Sequence, residues 1–420
     1  MISFSRVWRT KEVRQSILFV LGLFLVYRFA AHVPVPGVDT SALSSFFQNN
    51  QLFGLLNVFS GGTMENFSIV AMGVAPYITA SIIFQLLAMM WPKLEEMQKE
   101  EQGRQRINQW TRLLTVPLAG LQAYGLILLL RQQAGIILDQ GIWPMILAVI
   151  ILTAGTVFMM WLGELISEKH VGNGISLMIF AGIIAGLPSF LQQSLAIYDR
   201  QQIITFILFI IALILTIIGV VLVNEAQRNI PVKYARQINA ARFSSGVLTH
   251  LPLRVNMAGV MPIIFAISLI LTPTVFAQFF VEARTEWVRM IATKTIEIFA
   301  NQWIYGIIYF LLVFGFSYFY TAVIFHPDRI AENLQKQGGF IPGIRPGAPT
   351  AQYLHWVSSR ILFFGGFFLA LIAVLPLIVQ YFTANPNMVI GGTSLLIIVA
   401  VIIESIKQVE GQISMHEYDG

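Results

Sequence analysis

The chain has 420 residues, 56% hydrophobic and only 11% charged, with a mean hydropathy of +0.72 and a formal net charge of +5. A soluble domain carries about 25% charged residues, so a water-soluble globule is excluded. The lack of any cysteine excludes disulfide and thiolate chemistry. Runs without a charge recur at 143–163, 203–223, 302–325, 361–382 and 386–403. Each is close to the roughly 20 residues that a helix needs to cross a bilayer core about 30 Å thick. The ten-residue alternation of a membrane β-barrel is missing, and the prediction is an all-α polytopic membrane protein.

Ten spans are predicted in chain order, at 16–33, 68–91, 112–131, 144–166, 174–190, 203–224, 256–275, 302–325, 357–382 and 388–406. The first follows Arg6, Arg9, Lys11 and Arg14 and has a faint cleavage-like site at Ala30-Ala31-His32, but its length predicts a retained span rather than a signal peptide. Segment 34–67 holds no Lys or Arg, and its stretch 52–59 reads LFGLLNVF, followed by Ser60-Gly61-Gly62. That stretch is too short to span, and an exposed apolar patch is costly. It is expected to fold back into the outer mouth as a short plug helix hinged at Gly61-Gly62, or else to lie on the bilayer surface. Gly172-Asn173-Gly174 reads as a turn opening the fifth span. Segments 225–255 and 326–356 are long loops between spans; the first carries Arg228, Lys233, Arg236, Arg242 and Arg254 against one acid, Glu225, and the second is rich in Gly and Pro turns up to Arg345. Basic loops of this kind suit an acidic or RNA-rich partner.

The Lys and Arg distribution orients the chain. With both termini in the cytoplasm, the cytoplasmic segments hold 20 of the 26 Lys and Arg and the outer segments 5, as the positive-inside rule requires. The motif G-V-x-P-x-I-x-A occurs at 73–80 and again at 259–266. The first copy lies in a span running inward and the second in a span running outward. Two inverted five-helix halves, 1–200 and 201–420, are therefore expected, with loosened helices at their interface lining a central pore. Arg28, Glu164 and Glu404 lie toward the ends of their spans, so the middle lacks the ionisable groups of a coupled transporter. Val74 and Ile78 share a helix face at i,i+4, as do Ile175 and Ile179, and such residues form a constriction that grips no particular solute. No P-loop, zinc-binding His spacing or nucleophile elbow is present, so neither an enzyme nor a cofactor is expected. A secondary transporter and a poreless scaffold or insertase are the alternatives.

Longer motifs decide between these. Pro34-Val35-Pro36-Gly37, Phe59-Ser60-Gly61-Gly62, GVAPYITASII at 73–83, GNGIS at 172–176, Ile230-Pro231-Val232, HLPLRVNMAGVMP at 250–262, GIRPG at 343–347 and GGTSLLI at 391–397 occur in this order. The chain resembles the SecY family, the channel subunits of the bacterial protein translocase. The resemblance implies a pore ring at Val74, Ile78, Ile175, Ile179, Ile264 and Ile397, with Val74 standing where the family often has Ile. It implies a plug within 53–66 that includes Phe53, Leu55, Leu56, Phe59, Gly61 and Gly62. A lateral gate would part spans two and three from seven and eight, faced by Gln85 and Asn256. The loops bearing Arg228, Lys233, Arg236, Arg242 and Arg345 would bind a ribosome or the motor ATPase SecA. SecE and SecG would be the small companion subunits, signal sequences and unfolded chains the cargo, and the bacterial inner membrane the location.

Overall fold

The computed structural model describes residues 10–40, 42–43, 60–132, 141–196, 203–234, 248–281, 283, 285–383 and 387–419. A helix falls on every predicted span: α1 (Lys11–Ala31), α2 (Ala75–Met90), α4 (Glu101–Gln132), α5 (Ile142–Glu168), α6 (Gly174–Ala196), α7 (Ile203–Glu225), α8 (Met261–Phe279), α10 (Gln302–Ile324), α12 (Ala348–Thr383) and α13 (Asn387–Asp419). Between them lie the shorter α3 (Pro92–Lys99), α9 (Glu286–Ala300) and α11 (Pro327–Lys336). Among the described residues, five helices are long and apolar enough to cross a membrane, and the α2–α3 pair, bent by 114°, is a sixth if counted as one span. The bend falls at Trp91, whose extended backbone precedes Pro92, because proline disfavours the helical conformation in the residue before it.

The repeated Gly–Pro motif does not interrupt helices, as the predicted spans 68–91 and 256–275 require. It starts them. Gly73 and Gly259 adopt left-handed φ values of +52° and +63°. Each is followed by a valine and then by the first helical residue, Ala75 or Met261. Pro76 and Pro262 take the second helical position, where a missing N–H is one of the helix's orphan donors anyway. Helix α2 is consequently only 16 residues long, about 24 Å at 1.5 Å per residue, too short for the bilayer core by itself.

The remaining depth is filled by the irregular segment 60–74. Non-helical backbone survives at membrane depth only where protein encloses it and satisfies its polar groups. Thr63 and Ser68 are fully buried here. Thr63 Oγ1 donates to the carbonyls of Ser60 at 2.7 Å and Val70 at 3.2 Å, and Val35 N donates to Phe67 O at 2.8 Å. Gly155 of α5 leaves the space that the Ile69 carbonyl occupies.

The two long loops, read from the sequence as separate basic connections without strands, share a small domain. Strands β1 (Gln227–Tyr234), β2 (Leu248–Arg254) and β3 (Gly339–Phe340) form an antiparallel sheet in the order β2-β1-β3, with Ile230 opposite Leu251 and Lys233 opposite Phe340. Ile230, Val232 and Leu253 pack there on Leu334 of α11, Ile341, and Leu354 and Val357 of α12. The residue alternation of β1, buried at Ile230 and Val232 and exposed at Pro231 and Lys233, is the period-two pattern of a half-buried strand.

The halves run in opposite directions. The end of α2 and the start of α4 face the end of α10 and α11 across one cleft. At that same end of the molecule α8 begins: Phe265, in its second turn, meets cleft-lining Tyr320 with ring centroids 5.8 Å apart, and Gly259 lies against Glu404 of α13. So α2 finishes where α8 starts, and the two motif-bearing helices are inverted.

Candidate functional site

The main core unites residues from both halves. Val74, Ile78, Ile179, Ile264 and Ile397 belong to one buried cluster, each at most 6% exposed, and half-buried Ile175 packs against it. The local reason is the placement of three helix starts, those of α2, α6 and α8, against the middle part of α13 that carries Ile397. Ile78 and Ile264 sit one turn into α2 and α8 at equivalent places in the repeat, behind Val74 and Val260. Ile175 and Ile179 occupy the first turns of α6. Asn173 opens that helix, its Oδ1 accepting from Ile175 N at 3.1 Å and Ser176 N at 3.3 Å, as an N-cap does. A second internal repeat, G-x-S-L, occurs at 174–177 and 392–395 and places Ile179 and Ile397 five residues after its glycine. This signal escaped the sequence reading because four residues in so apolar a chain carry little weight alone. No Asp, Glu, Lys or Arg lies in 73–80, 174–179, 259–266 or 392–397. The six clustered side chains themselves offer dispersion contact and carry no charge, and the carboxylate of Glu404 lies beside Gly259 at the edge of the cluster.

Of the plug residues, Phe53, Leu55, Leu56 and Phe59 lie outside the described residues. Gly61 and Gly62 are described, with φ of +78° and +75°. Gly61 is not in open space as a free hinge would be. A Cβ there would overlap the Tyr27 hydroxyl and the Gly182 backbone of α6, whereas Gly62 has room around it. The Tyr27 hydroxyl donates to the Ser60 carbonyl at 3.0 Å, and Arg28 Nη1 to the Gly61 carbonyl at 3.4 Å. This turn is a packed root joined to α1 and α6.

A side cleft of about 810 Å³ lies between α2–α4 and α10–α11, lined by Ser81, Gln85 and Met89 on one wall and Tyr320, Ala322 and His326 on the other. Gln85 Nε2 donates to Ser81 Oγ at 3.1 Å, while its Oε1 is buried without a hydrogen-bond partner, so an acceptor stands ready on this wall. Asn256 is not among the cleft-lining residues. Its Nδ2 donates to Asn224 Oδ1 at 2.6 Å and to the Gly259 carbonyl at 3.1 Å. Arg228 and Lys233 project from β1 and Arg345 from the turn before α12, all exposed; Arg236 and Arg242 lie outside the described residues.

A family model for SecY matches residues 68–406. The chain is 42% identical to the protein translocase subunit SecY of Streptomyces coelicolor, covering 100% of this chain and 99% of that one. It is 41% identical to the corresponding subunit of Bacillus licheniformis, covering 99% and 98%. The chain belongs to the SecY family. Solved structures agree on the fold. A protein-conducting channel matches with a TM-score of 0.63 at 17% identity over 93% of this chain and 90% of that one. A Sec61 channel seen in a canine ribosome-channel complex matches with 0.59 at 16% identity over the same shares. In this SecY-family chain the buried cluster of Val74, Ile78, Ile175, Ile179, Ile264 and Ile397, residues 68–74 of the irregular segment and the small loop domain all fall within the matched region.

Proposed function

We propose that this chain is the protein-conducting channel of a bacterial translocase. Unfolded secretory polypeptides pass through the waist, and apolar segments of about 20 residues leave sideways through the cleft that Gln85 lines. The two halves, 1–200 and 201–420, close on each other at Val74, Ile78, Ile175, Ile179, Ile264 and Ile397. The observation that carries the reading is the apolar cluster in which three helix starts, those of α2, α6 and α8, meet Ile397 of α13. A conduit for many sequences needs a lining that resists water and ions when closed and binds no residue type in particular. The segment 53–66 is the plug above it, rooted at Gly61.

The chain acts as a channel and not as an enzyme. The driving force comes from a partner, SecA or a ribosome, docked on the loops that bear Arg228, Lys233, Arg236, Arg242 and Arg345, and guanidinium and ammonium groups such as those exposed at Arg228, Lys233 and Arg345 suit carboxylate or phosphate. SecE and SecG complete the complex, and signal sequences enter the cleft. Both termini lie in the cytoplasm of a cell whose inner membrane holds the protein, in keeping with the 20 to 5 bias of Lys and Arg.

A photo-crosslinking side chain at Ile78 or Ile179 is expected to capture a secretory chain stalled in transit. Adducts at exposed Leu25 of α1, with none at either isoleucine, would refute the central path.

A further inference from the structure

Helix α8 packs against α2 and α4 of the other half and against α10 of its own. Its first turn is also held from behind. Asn256 links Asn224 Oδ1 and the Gly259 carbonyl through one amide, at 2.6 and 3.1 Å. The Asn224 carbonyl, at the end of α7, accepts from Lys407 Nζ of α13 at 3.0 Å, and the same ammonium lies 2.8 Å from Glu225 Oε1. Val255 N donates to Ala226 O at 2.9 Å. Gly365 of α12 makes room for the Val255 carbonyl, since a Cβ there would lie 2.6 Å from that oxygen. Helices α7 and α12 thus touch residues 255–259 directly, and α13 reaches them through Glu404 beside Gly259 and through Lys407 on the end of α7. The matching glycine of the first half, Gly73, sits instead against Ser60 of the segment that precedes it.

We propose that Asn256, Asn224 and Lys407 are positioning residues that clamp the first turn of α8 to its own half and so set how readily the side cleft opens. The inference rests on the channel reading above. The physical basis is an asymmetry. One motif-bearing helix is braced by three neighbouring helices, and the other rests on its own connecting segment. With its start pinned, α8, together with α10 packed on it, leaves α2 and α4 by pivoting at residues 255–259. Asn224 is buried, so its side-chain oxygen has no ready substitute partner once Asn256 is truncated. Breaking the clamp therefore frees the pivot and lowers the cost of opening. The channel then accepts cargo whose signal segment is too weak to open the intact cleft.

Two measurements test this. The chain has no native cysteine, so Met89→Cys and Ala322→Cys place one spin label on each wall of the cleft. Pulsed electron resonance on the full chain in lipid nanodiscs then reads cleft width without requiring transport. Asn256→Ala and Lys407→Met are expected to broaden the distances toward longer values, and Lys407→Arg to keep the parent distribution. In inverted membrane vesicles, the ratio of signal-defective to intact-signal export should rise by about fivefold, the scale expected from losing one buried hydrogen bond. Unchanged distances in both Asn256→Ala and Lys407→Met overturn the clamp. A wider cleft with an unchanged export ratio overturns its role in selectivity. Absence of export from the unmutated chain would instead count against the channel reading, and the cleft width would still be readable. If Asn256→Ala fails to fold, the Lys407→Met and Lys407→Arg pair decides.

Discussion

Ile264→Ala tests the waist most directly. Ile264 is 3% exposed and sits one turn into α8, opposite in the repeat to Ile78. The change removes three carbons from the cluster that joins the halves, and alanine keeps the helix start intact. At about 0.8 kcal/mol per buried methylene the closed, dry waist loses about 2.4 kcal/mol of apolar contact. If the waist exchanges between a dry and a wetted state, and each 1.4 kcal/mol is tenfold, the wetted population rises by roughly fiftyfold. Planar-bilayer recording of the reconstituted channel at rest should therefore show a large rise in ion leak, and Ile78→Ala should match it. Leu152→Ala is the control. Leu152 is fully buried in the separate core cluster beside Phe67 and Leu130, so its loss should lower thermal stability by about 2–5 kcal/mol without a leak. Resting conductance unchanged in both isoleucine variants, or raised equally by Leu152→Ala, would refute the reasoning.

Other expectations follow from particular contacts. Arg345→Glu reverses an exposed charge whose backbone carbonyl accepts from Thr350 Oγ1 at 2.8 Å. It should leave folding unchanged by circular dichroism and strongly impair SecA-driven translocation into vesicles; normal translocation would remove Arg345 from the docking surface. Gly182→Ala places a carbon 2.7 Å from the Gly61 Cα, and overpacking of that kind costs about 1–3 kcal/mol. A clear drop in melting temperature is expected, and an unchanged one would mean that the plug root is not packed on α6. Pro262→Ala removes two carbons from a buried side chain, about 1.6 kcal/mol at about 0.8 each, but costs no helix hydrogen bond because proline at the second helical position forfeits none; a loss well above about 2 kcal/mol in a denaturation melt would count against the helix starting at Met261.

Much of this was legible in the residues themselves. Apolar runs, five of them charge-free over close to span length, placed a helix on all ten predicted segments, because in a bilayer a long apolar stretch has few alternatives to helix. The GVxP repeat and the Lys and Arg bias pointed to inversion before any contact was known. The waist residues were named by family pattern, and four of the six fall on two short internal repeats, one of them recognised only afterwards. The β-strands escaped because loop 225–255 is polar and interrupted by proline, and its pairing with Gly339 and Phe340 spans about a hundred residues of chain. Asn256 was placed by the resemblance and by its polarity, and neither says which neighbour an amide will meet, here Asn224 and the Gly259 carbonyl.

The sequence by itself determined class, the helical segments and the lack of charge in the motif stretches, since each depends on the free energy of transferring side chains and backbone between water and lipid. Only the tertiary structure decided what the glycines do. Gly73 and Gly259 begin helices, Gly61 is wedged against Tyr27 and Gly182, and Gly365 admits the backbone that Asn256 and Lys407 brace. Those roles depend on which backbone comes within van der Waals distance of which, and close approach is a property of packed helices that no single segment carries.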